Sequence, residues 1–321
     1  MTRGWLSLVA VLLVAAAGVL AVRIARSEPP APETAARPSE LALVVVELDG
    51  GALAAVVGSG GSLAPAGIVV PSRVSLTIPG QGDGTMGEAA TLPGRQAATA
   101  AANLLGVWIP HHVTLRAGAL AAVIDRAGGI QVGGTTLTGE EAIASLSPSG
   151  TPNEAVWETT LEAILGVVTW QAGDVPEADS PTAVADLLNA AHGAAVEVLP
   201  AEEVQGGLLD TDPETIRAAV TAAFGSEDRQ VLPVIVLNGS GEPGVGERVA
   251  EHLIPGGFRV VVSENASSFD HGSTLVVIPS EEHRPLGERV RDLLGVGEVQ
   301  VAGPASGLAD VTIVVGKDFG A

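Results

Sequence analysis

Leu41-Ala-Leu-Val-Val-Val-Glu-Leu48 is an almost unbroken apolar run, with Glu47 as its only charge. A half-buried strand alternates apolar and polar residues, so a run without alternation marks a strand covered on both faces. Downstream, Gly67–Val70 is a second such run, stopped by Pro71, and Val74–Ile78 alternates as a half-buried strand does. Gly94–Leu105 (GRQAATAAANLL) suits a helix and meets Gly106, a C-capping residue. His112–Leu115 reads as a short strand, Ala117–Ala127 as a helix closed by Gly128-Gly129, and Thr138-Gly-Glu-Glu as the start of another helix. Strands and helices alternate, which predicts an α/β domain with a central sheet over residues 40–225.

Residues 226–231 (SEDRQV) form a polar linker, and a second unit occupies 232–321. Its pattern is strand Leu232–Leu237, a helix Pro243–Leu253 opened by proline, strands Phe258–Val262 and Thr274–Ile278, a helix Pro285–Leu294 ending at Gly295, and strand Val311–Val315. This is a small α/β domain.

Upstream of both, Trp5–Val22 (WLSLVAVLLVAAAGVLAV) carries no charge and is just long enough to span a bilayer. A cleaved signal would need its small-residue site at Ala15-Ala16-Ala17, yet the apolar run continues beyond it. Residues 1–26 are therefore expected to be an uncleaved, single-pass transmembrane anchor. Residues 27–39 (SEPPAPETAARPS) read as an extended Pro-rich spacer.

The chain has 37 acids against 16 bases, a net charge of -21, and Lys317 is its only lysine. A nucleic-acid partner is excluded, because binding a phosphate backbone needs a basic face. The absence of cysteine removes disulfides, thiolate chemistry and Cys-based zinc sites. Aromatics are only 2% of residues, so Ala, Val and Leu must fill the core. The preference for Ala, Gly and Val, and for Arg over Lys, is that of a GC-rich genome.

Several constellations resemble chemical motifs. Gly239-Ser-Gly241-Glu-Pro-Gly244 fits G-x-G-x-x-G and has Glu264 some twenty residues on. The unit is too small for a doubly wound sheet and Pro243 interrupts the turn, so a tight strand-to-helix turn is the expectation. His111-His112 are neighbours on a strand and should point to opposite faces, which rules out one shared metal. Glu140-Glu141 and Glu202-Glu203 read as solvated helix starts. No metal site is expected.

The order of four pieces resembles the LytR-CpsA-Psr family. Pro71-Ser-Arg-Val-Ser-Leu-Thr-Ile-Pro-Gly80 is similar to the family segment Pro-Arg-Asp-x-x-Val-x-Ile-Pro-Gly. Asn103-Leu-Leu-Gly106, His112-Val113, Val123-Ile-Asp125 and Gly128-Gly-Ile-Gln-Val132 resemble its Leu-Leu-Gly-Ile, strand and Leu-Val-Asp-x-x-Gly-Gly-Val succession. Leu137-Thr-Gly-Glu-Glu-Ala142 resembles Leu-Asn-Gly-Glu-Gln-Ala. Val236-Leu-Asn-Gly-Ser-Gly241, Gly256-Gly-Phe258 and Asp310–Val315 are similar to the LytR C-terminal domain.

Active members of that family transfer a glycopolymer from a polyprenyl-pyrophosphate carrier to peptidoglycan, using arginines and Mg2+-binding carboxylates. Here Ser72-Arg73 stands at the family's Arg-Asp, and Val156-Trp157-Glu158-Thr159-Thr160 at its Arg-x-x-Arg-Gln helix. No Lys or Arg occurs between Arg126 and Arg217. Glu40 stands at an early family Asp, and Glu40 and Arg73 are the substrate-binding candidates; no catalytic residue is assigned. The resemblance implies an extracytoplasmic cell-envelope protein, held in the cell membrane by its N-terminal helix. Its expected role is a non-catalytic binding or scaffold role without cofactor, with a polyprenyl lipid, a cell-wall polymer or an active paralogue as partner. The alternative is an active phosphotransferase, which would require Mg2+.

Overall fold

The computed structural model describes residues 40–59, 64–146, 154–225, 231–302 and 307–320. The Trp5–Val22 run, the Pro-rich spacer and residues 226–230 of the linker lie outside the described residues. Among the described residues no helix is long and apolar enough to cross a membrane. Residues 38–321 make one compact unit.

The opening run is strand β1 (Glu40–Leu48). It turns through Asp49 and Gly50 into β2 (Gly51–Ser59), with Leu48 opposite Gly51 and Gly50 at φ 89° supplying the left-handed step. Next come β3 (Ala66–Val70), the small hairpin β4 (Ser75–Ile78) and β5 (Gly82–Thr85), the short helix α1 (Met86–Ala90) and α2 (Gly94–Leu105). Then follow β6 (His111–Arg116), α3 (Ala117–Arg126), hairpin strands β7 (Ile130–Val132) and β8 (Thr135–Leu137), α4 (Gly139–Leu146) and α5 (Glu154–Val167). The first part closes with α6 (Pro181–Ala190), β9 (Ala195–Val198), the two-residue strands β10 (Glu202–Glu203) and β11 (Leu209–Asp210), and α7 (Pro213–Phe224). The second part runs β12 (Leu232–Asn238), α8 (Val245–Leu253), β13 (Phe258–Asn265), β14 (Leu275–Ile278), α9 (Arg284–Leu294), β15 (Glu298–Val301) and β16 (Val311–Val315).

The first sheet has the order β6-β1-β2-β3-β9, and the second β13-β12-β16-β14-β15. Both mix parallel and antiparallel pairs. In the first, β1 and β2 are antiparallel, as are β2 and β3, while β6 and β9 join in parallel. The α/β expectation with a central sheet holds.

The period of two in β1 divides the core. Leu41, Leu43 and Val45 enter a cluster containing α2, α7 and the second sheet, including Val234, Val236 and Phe258. Ala42, Val44, Val46 and Leu48 face a separate cluster with Leu120, Leu161, Ile164 and Leu188 from α3, α5 and α6. The sheet is therefore covered on both sides, as the unalternating run requires. With few aromatics available, closeness replaces bulk. Ala97, Ala98, Ala100, Ala101 and Ala102 are all buried on α2.

One strand has no counterpart in the sequence pattern, and one helix begins later than expected. Strand β2 (GALAAVVGS) is rich in Ala and Gly, poor strand formers by themselves, and its place is set by pairing with β1 and β3. Helix α8 begins at Val245 rather than at Pro243, because Gly244 at φ 72° stands as its N-cap.

The seam between the two sheets is sealed at its centre by the side chain of Asn103. Asn103, 2% exposed on α2, donates from Nδ2 to the Val260 carbonyl at 2.8 Å and accepts at Oδ1 from the Val260 amide at 2.8 Å. Its carboxamide thus imitates a neighbouring strand along the edge of β13. Thr77 Oγ1 donates to the Val261 carbonyl at 3.2 Å, and the Gly80 amide donates to Ser263 Oγ at 2.7 Å, which continues the cover along the same edge. At that point only glycines fit, since a Cβ on Gly246 would lie 2.7 Å from the Gly80 Cα.

Asn103→Leu keeps the volume but strands two buried backbone groups. Each costs ~1–3 kcal/mol when left unpaired. A chain beginning at residue 38 should therefore lose about 2–6 kcal/mol in urea unfolding on this change, whereas an unchanged midpoint would show that the carboxamide is dispensable.

Candidate functional site

Between the first sheet and the layer of α3, α5 and α6 lies a cavity of about 30 Å³. Val44, Val57, Leu120, Leu161, Ile164 and Trp170 are among its walls, and every lining residue is apolar or glycine. It has room for a water or two. An acyl or isoprenoid chain would enter only if the helices moved apart. The Trp170 indole N–H is buried without a hydrogen-bond partner among the described residues.

No basic residue lines this cavity. The arginines flanking α3 are committed elsewhere. Arg116 reaches Glu177 at 2.8 Å, and Arg126 forms a two-pronged pair with Asp174 at 2.7 and 2.6 Å. The hydrogen bond from Arg126 holds the Asp174 carboxyl below its ordinary range, and Asp174 in turn raises the guanidinium.

Helix α5, where the resemblance leads one to look for arginines, carries carboxylates with a structural task. Glu158 accepts the Val198 amide and Glu162 accepts the Val196 amide, each at 3.0 Å. Spaced four apart, they share one helix face and cover the outer edge of β9. Asp125 accepts the Gly139 amide at 2.6 Å and so holds the start of α4. Glu141 closes a capping box with Thr138, whose backbone and hydroxyl hydrogen bonds lower its pKa. Glu140-Glu141 is thus a helix start, as expected.

Arg73 and Glu40 are not brought together. Arg73 donates to the Gly207 carbonyl at 2.6 Å and sits 3.6 Å from Glu203, with about two-fifths of its side chain exposed. A pair this exposed contributes ~0–1 kcal/mol. Glu203 lies on β10, so Glu202-Glu203 is a strand pair rather than a helix start. Glu40 begins β1 opposite Ser59, while β3 leaves the sheet at the level of Ala54 and Val45 before the chain reaches Arg73. Five residues of strand, roughly 17 Å, separate those two levels. They stand at opposite ends of the sheet.

The G-x-G-x-x-G stretch is a tight turn, as expected. Asn238 Oδ1 accepts the amides of Ser240 and Gly241 at 3.2 and 3.0 Å, and its Nδ2 donates to the Glu242 carbonyl at 3.0 Å. Amides that cradle a phosphate in nucleotide loops are here turned onto a side chain.

His111 and His112 do converge, on Asp179. The carboxylate takes His111 Nδ1 at 3.2 Å and the His112 amide at 3.0 Å, with His112 Nδ1 at 3.9 Å. Asp179 lies beside the edge of β6, in the plane of the sheet, so residues from both faces reach it. Edge position, which strand alternation alone does not encode, is what brings them together. Among the described residues no group of three or more His, Asp or Glu is placed to hold a metal ion.

Burial pushes the His112 pKa below its ordinary 6.5; the Asp179 charge pulls the other way without reversing the shift. Asp179 is resisted by burial, yet the His112 amide and the His111 ring hold its carboxyl below the ordinary value. A depressed folded-state pKa means that the stabilising contribution is complete above the unfolded value and is lost as pH falls. For His112 that loss begins below pH 6.5. Stability should be flat from neutral to mildly alkaline pH and decline on acidification, and His112→Gln should flatten the first part of the decline. Urea midpoints across that range decide it; an identical profile in the variant would clear His112 of the effect.

Residues 232–319 match the family described as LytR cell envelope-related transcriptional attenuator. No curated protein matches the chain. Among solved structures, Bacillus subtilis TagT resembles it with a TM-score of 0.46 at 15% identity, covering 62% of this chain and 95% of that one. A LytR-Csp2A-Psr enzyme from Actinomyces oris gives 0.44 at 17% identity, covering 60% and 92%. TagT with bound octaprenyl pyrophosphate lipid gives 0.45 at 15% identity, covering 62% and 95%. The chain is similar to LytR-CpsA-Psr proteins, and its residues 232–319 match the LytR C-terminal family.

Proposed function

We propose that this chain is a membrane-anchored, extracytoplasmic component of the cell envelope that binds or scaffolds rather than transfers glycopolymers. The observation that carries the reading is the cavity beneath the first sheet, walled without a single cation, beside a helix whose Glu158 and Glu162 are committed to β9. Phosphoryl transfer is mostly electrostatic positioning, so fixed positive charge must meet the leaving pyrophosphate. Each missing charged contact costs ~1.5–3 kcal/mol. Arg73, bound to Gly207 and Glu203 on the surface, does not supply that charge. The apolar cavity supports a lipid chain as ligand after the helices part, with a wall polymer or an active paralogue as the further partner. The match of residues 232–319 supports the envelope setting, and the uncharged Trp5–Val22 run supports the anchor.

Two experiments test this reading. A chain of residues 38–321, given a lipid-linked pyrophosphate glycan and Mg2+, should release no polyprenyl phosphate. Turnover above a buffer control that disappears on Arg73→Ala would establish the phosphotransferase instead. In intact spheroplasts, added protease should digest everything beyond residue 27 of the full chain; complete protection would place the chain on the other side of the membrane.

A further inference from the structure

Apart from Arg259, the arginines among the described residues each have a partner. Arg217 lies 3.8 Å from Glu214, Arg248 reaches Glu242 at 3.0 Å, Arg284 pairs with Glu281, and Arg289 lies over the Phe258 ring. Arg259 on β13 has no carboxylate or carbonyl among the described residues, although it is only partly exposed. Burial alone depresses its pKa, with no opposing charge to restore it. Desolvating a guanidinium without a partner is unfavourable, and in a chain of net charge -21 carboxylates are not scarce.

The surroundings of Arg259 explain what it could serve. On one side lies a groove of about 330 Å³, between the end of α2, helix α7 and the start of β12. On the other lies a second of about 240 Å³, against β4. Both are lined by Leu104, Ile216 and Arg259, so Arg259 stands where they meet. Leu105, Val220 and Val231 extend the apolar wall of the larger groove, and Arg217 adds a second cation. The larger groove has the volume of a site for a small organic ligand. The site lies on the seam side of the first sheet, away from the apolar cavity under α5.

We propose that the seam between the two sheets binds an amphiphilic anion, an alkyl phosphate monoester in chemical class, with its headgroup on Arg259 and its chain along Leu104, Ile216 and Val220. A planar guanidinium takes two phosphate oxygens at once. Arg217, whose 3.8 Å pairing with Glu214 is exposed, lines the same groove as a second cation for the headgroup.

The test is calorimetric titration of residues 38–321 with decyl phosphate, kept below its micelle concentration. One equivalent should bind saturably. Arg259→Gln should weaken binding about ten- to hundred-fold, the value of one charged contact, Arg259→Lys should lie between, and thermal melts should show both variants folded. Decanol should bind far more weakly, and inorganic phosphate as well, since each lacks half of the recognition. Equal affinity for decanol, or affinity unchanged by Arg259→Gln, would overturn the proposal and leave an apolar groove without an anion site. Stability coupling between Arg259 and Glu227 or Asp228 in a double-mutant cycle would also overturn it, because the linker acids would then be the partner of this guanidinium. None of these results depends on whether the chain transfers glycans.

Discussion

A sheet edge presents a row of backbone N–H and C=O groups, and closing those rows organises this molecule. At β13 the closure is the carboxamide of Asn103, which donates to and accepts from Val260 as a further strand would. At β9 it is Glu158 and Glu162 of α5, and at β6 it is Asp179. Three edges are thus sealed by polar side chains from neighbouring elements. The packing of α2 against both sheets follows from the first of these. Its alanines let the helix come close enough for a short Asn side chain to reach the far strand.

The same economy bears on chemistry. A carboxylate that accepts a backbone amide is held in place by it, at a fixed position on the backbone it serves. Glu158, Glu162, Asp125, Glu141 and Asp179 all have such posts. Much of the acidity in the helical layer therefore organises backbone, and its arginines Arg116 and Arg126 are spent on ion pairs. The cavity these elements surround is left apolar. The helical layer in this way keeps an apolar interior while its polar groups serve architecture.

Much of the architecture was readable from local pattern. Helix α2 was bounded correctly because Gly106 supplies the left-handed C-cap at φ 67°, and β16 because five apolar and β-branched residues stand between a loop and Gly316. Strand β2 was not, although Asp49-Gly50 is a hairpin signal, because its Ala and Gly content hides its pairing. The side chains that matter most were less legible. Asn103 is a lone amide in an alanine-rich helix, which is a signal of a kind, but its partner Val260 lies 157 residues away and no spacing records that. Arg73 and Glu40 stand out only by resemblance, which preserves order along the chain and not proximity across a sheet. The approach of His111 and His112 to Asp179 depended on β6 being an edge strand, a property of topology rather than of sequence.

The distance in sequence across the Asn103–Val260 contact has a bearing on the order of events in folding. Closing a flexible loop of that length costs about 4–5 kcal/mol of chain entropy, and the second sheet must already exist for the carboxamide to find its strand. Without that carboxamide the Val260 amide and carbonyl at the β13 edge are unpaired, the kind of exposed row that pairs with another chain.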